Sequence, residues 1–285
     1  MAYRPGVDLA RLFSAALIVV FHTPGSPYKT LTLSGLSFFV LLTFCLQGLG
    51  EAATRPYSIR KRAARLLGPW LVWSLFYVTL RLARHLPLPT HFYDHPGDLL
   101  IGPEEPLWFL PFAFLAGIAA HALLRVVTRL SSTGALLTLS MLSAGMALAH
   151  PGFAGLPEPL GQWHYALPLL PIGVAVGLSQ GLSGRRLAWH YLALLALTAF
   201  LARRCGEPSY LLGTIALMVA IVARTRDLKT LRWLASLSMG IYLIHPAVFY
   251  LLYKYAPGAS WPQVSVIAVL ASAAASAARS LAGLA

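Results

Sequence analysis

Residues 7–22 read VDLARLFSAALIVVFH, an apolar run with Asp8 and Arg11 near one end and His22 at the other. A helix crossing the hydrocarbon core of a bilayer needs about 20 predominantly apolar residues, each adding about 1.5 Å. This run approaches that length, and the spacing of its polar residues is helical. Arg11 and His22 are eleven positions apart, close to three turns, so they share one face about 16 Å apart along the axis. Asp8 lies one turn before Arg11 on that face, where an ion pair is sterically natural. Two accounts fit. In one, the three residues line a polar groove through a helical bundle, since ionisable groups in spans tend to be functional. In the other, Arg11 snorkels to the interface paired with Asp8, while His22 ends the helix at the opposite interface.

Composition extends the membrane reading to the whole chain. Of 285 residues, 58% are hydrophobic and 11% charged, against about 25% charged in soluble domains. Mean hydropathy is +0.69. Apolar runs recur near 8–22, 33–50, 67–83, 106–124, 133–149, 163–179, 187–202, 209–223, 233–251 and 262–279. Thr23-Pro24-Gly25, the segment 87–106 and the segment 151–159 interrupt them. The expected fold is therefore all-α, a polytopic transmembrane bundle of about ten spans forming a single domain over residues 1–285. The first run is expected to be a retained helix rather than a signal peptide, because Asp8 and Arg11 interrupt it and no small-residue cleavage site follows.

The net charge of +13 does not indicate nucleic acid, because the basic residues follow the spans. With the N-terminus cytoplasmic, 15 of the 22 lysines and arginines fall on the inner side: Arg4, Arg55, Arg60, Lys61, Arg62, Arg65, Arg125, Arg129, Arg185, Arg186, Arg224, Arg226, Lys229, Arg232 and Arg279. Six fall outside, Lys29, Arg81, Arg84, Arg203, Arg204 and Lys254, and Arg11 is set aside within the first span. The positive-inside rule then expects an even span number with N- and C-termini cytoplasmic. Asp94, Asp98, Glu104, Glu105, Glu158 and Glu207 all fall on the outer side of this arrangement. Cys45 in an apolar run and Cys205 in a connecting segment make no disulfide framework.

Three further constellations bear chemistry. Arg62 and Arg65, within Arg60-Lys61-Arg62-Ala63-Ala64-Arg65 before the third span, stand at i and i+3. On a helix their guanidinium forks face one way and suit a phosphate, although such clusters also set topology or touch anionic lipid. Glu104-Glu105-Pro106-Leu107-Trp108 offers an interfacial tryptophan, read as an aromatic-belt anchor, and two solvated glutamates, one of which could orient His22. Tyr242 and His245 lie in Ser238-Met239-Gly240-Ile241-Tyr242-Leu243-Ile244-His245-Pro246, where His-Pro inside a span points to a kink and to a pore-facing side chain. His85, His91 and His95 with Asp94 lie in a polar loop without a ligand pattern, so no metal is expected.

Taken together, these residues resemble a known family. Asp8-Leu9-Ala10-Arg11 with Arg-x10-His, Phe38-Phe39-Val40-Leu41, Arg62-x-x-Arg65, Leu107-Trp108-Phe109-Leu110 and the 238–246 stretch are similar, in order and spacing, to the acyltransferase 3 family of membrane acyltransferases. Two departures stand out: Leu42-Thr43 follows where Ser-Gly is usual, leaving the packing of the second span open, and Pro106 stands where histidine is common. The resemblance implies a bundle of about ten spans in the cytoplasmic membrane. It implies transfer of an acyl group, often acetyl from acetyl-CoA, to a hydroxyl of a cell-envelope glycan, lipid-linked sugar or small molecule. By the same resemblance His22 would be the catalytic base, Arg11, Arg62 and Arg65 the acyl-CoA-binding residues, and Asp8, Trp108, Tyr242 and His245 supporting residues. Direct transfer and an acyl-histidine relay both fit. The implied partners are membrane lipids, acyl-CoA and the hydroxyl acceptor, with a homo-oligomer as a further option and no nucleic acid. A transporter or lipid flippase, with Asp8, Arg11, His22 and His245 along its path, is the alternative from another class. A membrane scaffold is a third.

Overall fold

In hydrocarbon a backbone has no water to bond, so an apolar run satisfies its N–H and C=O groups by coiling on itself. The computed structural model of the chain describes residues 5–54, 56–87, 96–153, 156–157, 159–223 and 229–281. Arg4, Arg55, His91, Asp94, His95, Glu158, Arg224 and Arg226 lie outside the described residues, as do the side chains of Asp98 and Arg279. The described residues contain helices and no strands.

In chain order the helices are α1 (Pro5–His22), the short α2 (Lys29–Thr32), α3 (Ser34–Ala52), α4 (Ile59–Ala83), α5 (Phe109–Val127), α6 (Ser132–Phe153), the short α7 (Leu160–Trp163), α8 (Leu169–Ser179), α9 (Gly184–Cys205), α10 (Ser209–Val222), α11 (Lys229–Ser236), α12 (Ser238–Tyr255) and α13 (Trp261–Leu281). Two 3-10 turns, Pro96–Leu100 and Glu105–Trp108, precede α5. Helix occupies most of each of the ten expected stretches, with breaks in the sixth and the ninth. Six of these segments are long and apolar enough to cross a membrane, or seven if α11 and α12 count as one bent span. Helices α8 and α10 have 11 and 14 residues, and α9 carries Arg185, Arg186, Arg203 and Arg204 at its ends.

Local chemistry explains where the boundaries depart from expectation. Helix α4 starts at residue 59 instead of 67, because Ser58 caps it by accepting from the Lys61 N–H. The basic cluster is consequently the first two turns of the helix rather than a segment before it. The sixth expected stretch breaks ahead of α8, and the Pro168 carbonyl at the break accepts from buried Ser143. The bend of the ninth, 43°, falls at Leu237 between α11 and α12; α12 continues through Pro246. Helix α3 runs unbroken through Leu42-Thr43, and α9 continues to Cys205 before Gly206, at φ 71°, ends it in the left-handed region.

The chain divides into two compact units, residues 1–39 with 208–285 and residues 40–207. In the first, α1 packs with α10 to α13 around a core of Ala15, Val19, Leu237, Ile241, Val248, Phe249, Val264 and Ala268. Gly35 lets its backbone approach α1, where a Cβ would stand 2.6 Å from the Ser14 carbonyl. Ser265 on α13 donates at 2.9 Å to the hydroxyl of Thr23, just past α1. Both are buried, so the end of α1 is tied down by a closed polar pair.

In the second unit, α4 packs on α5, and α6 on α8 and α9. Phe44, Trp108, Phe112 and Trp163 form an aromatic cluster with successive ring centroids 5.7–6.2 Å apart. Helices α3 and α8 approach through glycine, as small residues allow between membrane helices. A Cβ at Gly173 would stand 2.6 Å from the Leu41 carbonyl and 2.9 Å from Phe44 Cβ. Gly173→Leu is therefore expected to destabilise the protein by about 1–3 kcal/mol, read as a lower midpoint of thermal unfolding in detergent. Gly145→Leu, at a position with open space around it, is the control and leaves that midpoint in place.

Candidate functional site

In the first unit the site begins at the last residue of α1. The His22 Nδ1–H donates to the Ile18 carbonyl one turn back, at 2.9 Å. A neutral imidazole so bonded carries its lone pair on Nε2, which makes Nε2 the basic atom. The partner ring is His245 on α12, 5.1 Å away between centroids and tilted by 42°. His245 is completely buried. Its Nδ1 lies 3.3 Å from the Ile241 carbonyl, while Nε2 is buried without a hydrogen-bond partner among the described residues. Tyr242 and Phe249 flank His245, with ring centroids at 6.3 and 5.5 Å. Two histidines far apart in sequence therefore share one apolar enclosure.

Asp8 and Arg11 stand near the opposite end of α1 and form the expected pair, Nη1 to Oδ1 at 3.5 Å. Both side chains are partly shielded, 32% exposed for Arg11 and 16% for Asp8. The contact is long for a charge-assisted bond.

The second unit holds Arg62, Arg65 and Trp108. The two arginines share a helical stretch but not an environment. Arg62 turns inward, and its Nη2 donates to the Ala113 carbonyl of α5 at 2.8 Å. Its guanidinium lies 5.9 Å from the Tyr57 ring centroid and fills the place a side chain at Gly117 would occupy. Arg65 is exposed. The single fork read from i, i+3 spacing is thus resolved into one inserted and one outward arginine, because the bare backbone of Gly117 admits only the first.

Trp108 is 5% exposed and lies within the aromatic cluster, which corrects its reading as an interfacial belt anchor. Its ring packs on Phe112 one turn on, and Phe112 in turn meets Phe44 and Trp163. Glu104 is not solvated either. Its Oε1 accepts from Arg81 Nε at 2.8 Å, while Arg81 also holds the Pro87 carbonyl. Glu105 is exposed, as expected.

Sequence reasoning missed a polar group around Arg62. The Gln47 amide donates to the Gly117 carbonyl at 2.7 Å. Tyr57 stacks on His121 at 4.2 Å with planes 8° apart, and Glu51 Oε2 lies 3.9 Å from His121 Nδ1. Burial pushes the Tyr57 phenol up against the opposing influence of Arg62, so its hydroxyl remains a neutral donor at physiological pH. The available signal was polarity inside apolar runs: Gln47 and Glu51 one turn apart on α3, and Gly117 and His121 one turn apart on α5.

The burial contrast between the two histidines of the first unit is directly measurable. Brief diethylpyrocarbonate treatment of detergent-solubilised protein is expected to modify half-buried His22 and spare His245, with both modified after denaturation, as mass spectrometry would show.

Comparison with known proteins matches a family model described as an acyltransferase domain to residues 4–280. No curated protein and no solved structure matches the chain. Coverage of nearly the whole sequence by that one model, with several helices apolar and long enough to cross a bilayer, identifies the chain as a member of this acyltransferase family and a multi-pass membrane protein.

Proposed function

We propose that the protein is an O-acyltransferase of the cytoplasmic membrane that moves an acyl group, acetyl in the simplest case, from cytosolic acyl-CoA to an acceptor hydroxyl. The acceptor class is a cell-envelope glycan, a lipid-linked sugar or a small molecule. The charge distribution along the sequence supports ten crossings with both termini cytoplasmic. It also puts the basic first turns of α4 on the side where acyl-CoA is made.

The observation that carries the mechanism is the His22–His245 pair, with each Nδ1 against a carbonyl of its own helix. His22 Nε2 takes the proton of the acceptor hydroxyl as its oxygen attacks the thioester carbonyl. The tetrahedral intermediate collapses with cleavage of the C–S bond. The imidazolium then returns its proton to the departing thiolate, giving ester and CoA. The Ile18 carbonyl holds the ring throughout, so the basic atom does not change. His245 packs on that ring from the enclosed side and fixes its tilt, with Tyr242 beside it as support. In this reading Arg65 and Arg62 receive the donor, Arg11, steadied by Asp8, adds positive charge for it, and Trp108 shapes the apolar wall of the second unit.

Purified protein tests this with acetyl-CoA and either an acceptor hydroxyl or water, read as release of free CoA thiol. His22→Ala is expected to lower turnover at least about 100-fold, the usual contribution of a positioned general base. Full turnover in His22→Ala would remove the proposed role. His245→Ala is expected to lower kcat less, leaving KM for acetyl-CoA in place.

A further inference from the structure

The polar group around Arg62 holds four buried atoms without a hydrogen-bond partner among the described residues: Arg62 Nε, Tyr57 Oη, Gln47 Oε1 and His121 Nδ1. Each is held by something else. Arg62 is pinned to the Ala113 carbonyl, Gln47 to the Gly117 carbonyl, and Tyr57 and His121 to one another by stacking. Leaving polar atoms unpaired in an interior costs about 1–3 kcal/mol each, so four together mark a site that another molecule completes.

Their chemistry is mixed. Arg62 Nε–H and the Tyr57 hydroxyl donate; Gln47 Oε1 accepts, and its orientation is set because the amide nitrogen is already spent on Gly117. A phosphate fits this seat poorly. It would meet the Gln47 oxygen and the Glu51 carboxylate, both acceptors, beside an arginine with one arm already committed. A secondary amide fits well, because its N–H and C=O supply one donor and one acceptor from adjoining atoms. Phosphate charge has a better place on Arg60, Lys61 and Arg65, all exposed on the first turns of α4.

Resting on the reading that acyl-CoA is the donor, we propose that Gln47, Tyr57, Arg62 and His121 seat the amide-bearing pantetheine arm, while Arg65 and its exposed neighbours meet the phosphates. Arg62 and Arg65 then do separate jobs: one reads the neutral arm, and the other draws in the charged end.

The test is direct binding to the full chain in detergent with three probes: CoA, 3′,5′-ADP, which has phosphates and no arm, and S-acetylpantetheine, which has the arm and no nucleotide. Gln47→Leu and Tyr57→Phe are expected to weaken CoA and S-acetylpantetheine about tenfold and to leave 3′,5′-ADP within about twofold of wild type. Arg65→Ala should show the reverse selectivity. Tyr57→Phe removes a single oxygen, and unfolding midpoints measured without ligand show that each variant is folded. Unchanged binding of all three probes by both seat variants would mean that the seat holds only water, overturning this proposal while the donor reading stands. Equal weakening of 3′,5′-ADP and S-acetylpantetheine by Gln47→Leu would place phosphate in the seat and also overturn it. Failure of wild-type protein to bind CoA would bring down both readings.

Discussion

A side-chain donor inside an apolar helix always has one partner at hand, the carbonyl one turn back, and this chain uses it repeatedly. Thr23, Thr79, Ser179, Thr198 and Thr214 donate to Val19, Leu75, Ala175, Leu194 and Tyr210. A hydroxyl has one proton, so a single such bond spends its donor and the residue becomes compatible with hydrocarbon. Histidine follows the same rule with a different result. His22, His190 and His245 direct Nδ1 to Ile18, Arg186 and Ile241, and each keeps a second nitrogen that its own helix cannot reach. The constraint that silences a buried serine thus orients a buried histidine and leaves its basic atom facing away from the backbone.

What that second nitrogen meets then decides its use. His190 lines a cavity of about 40 Å³ with Ser132 and Ser179 among its walls, which is room for water and little else. His245 meets the ring of His22 inside a wall of Tyr242 and Phe249. Of these two, the second pairs a half-buried imidazole with a fully buried one, and the buried ring limits how the half-buried one can turn. Pro246 adds to this. It has no N–H for the Tyr242 carbonyl, which loosens the backbone next to His245 while α12 continues as a helix.

The sequence made legible what depends on neighbours one to four residues away. Helical stretches, the Asp8–Arg11 pair and the shared face of Arg11 and His22 follow from composition and a 3.6-residue period. Features set by partners far along the chain were not legible. Trp108 looks interfacial until the cluster that Phe44 and Trp163 build on Phe112 encloses it, and Glu104 looks solvated until Arg81 takes its carboxylate. Arg62 and Arg65 look equivalent until Gly117, more than fifty residues later, admits one guanidinium. The kink expected at His245-Pro246 falls instead at Leu237, where α11 meets α12; a proline inside a run draws attention that a single-residue break between helices does not. The number of crossings is harder still, because α8 and α10 are too short to declare themselves as spans.

The same division of labour recurs wherever this chain keeps polar atoms in its interior. His22 gives Nδ1 to Ile18, Arg62 gives Nη2 to Ala113, and Gln47 gives its amide nitrogen to Gly117. In each case one atom is fixed to a carbonyl on a helix, and another atom of the same rigid planar group is thereby aimed. A planar group held at one corner has little orientation left to lose, so a ligand or a reacting hydroxyl that meets the other corner pays less entropy than it would at a mobile side chain. The carbonyls of a membrane helix are the one hydrogen-bonding surface that hydrocarbon guarantees. Fixing polar groups to them lets a chain with 11% charged residues hold and aim histidine, arginine and glutamine side chains in apolar surroundings.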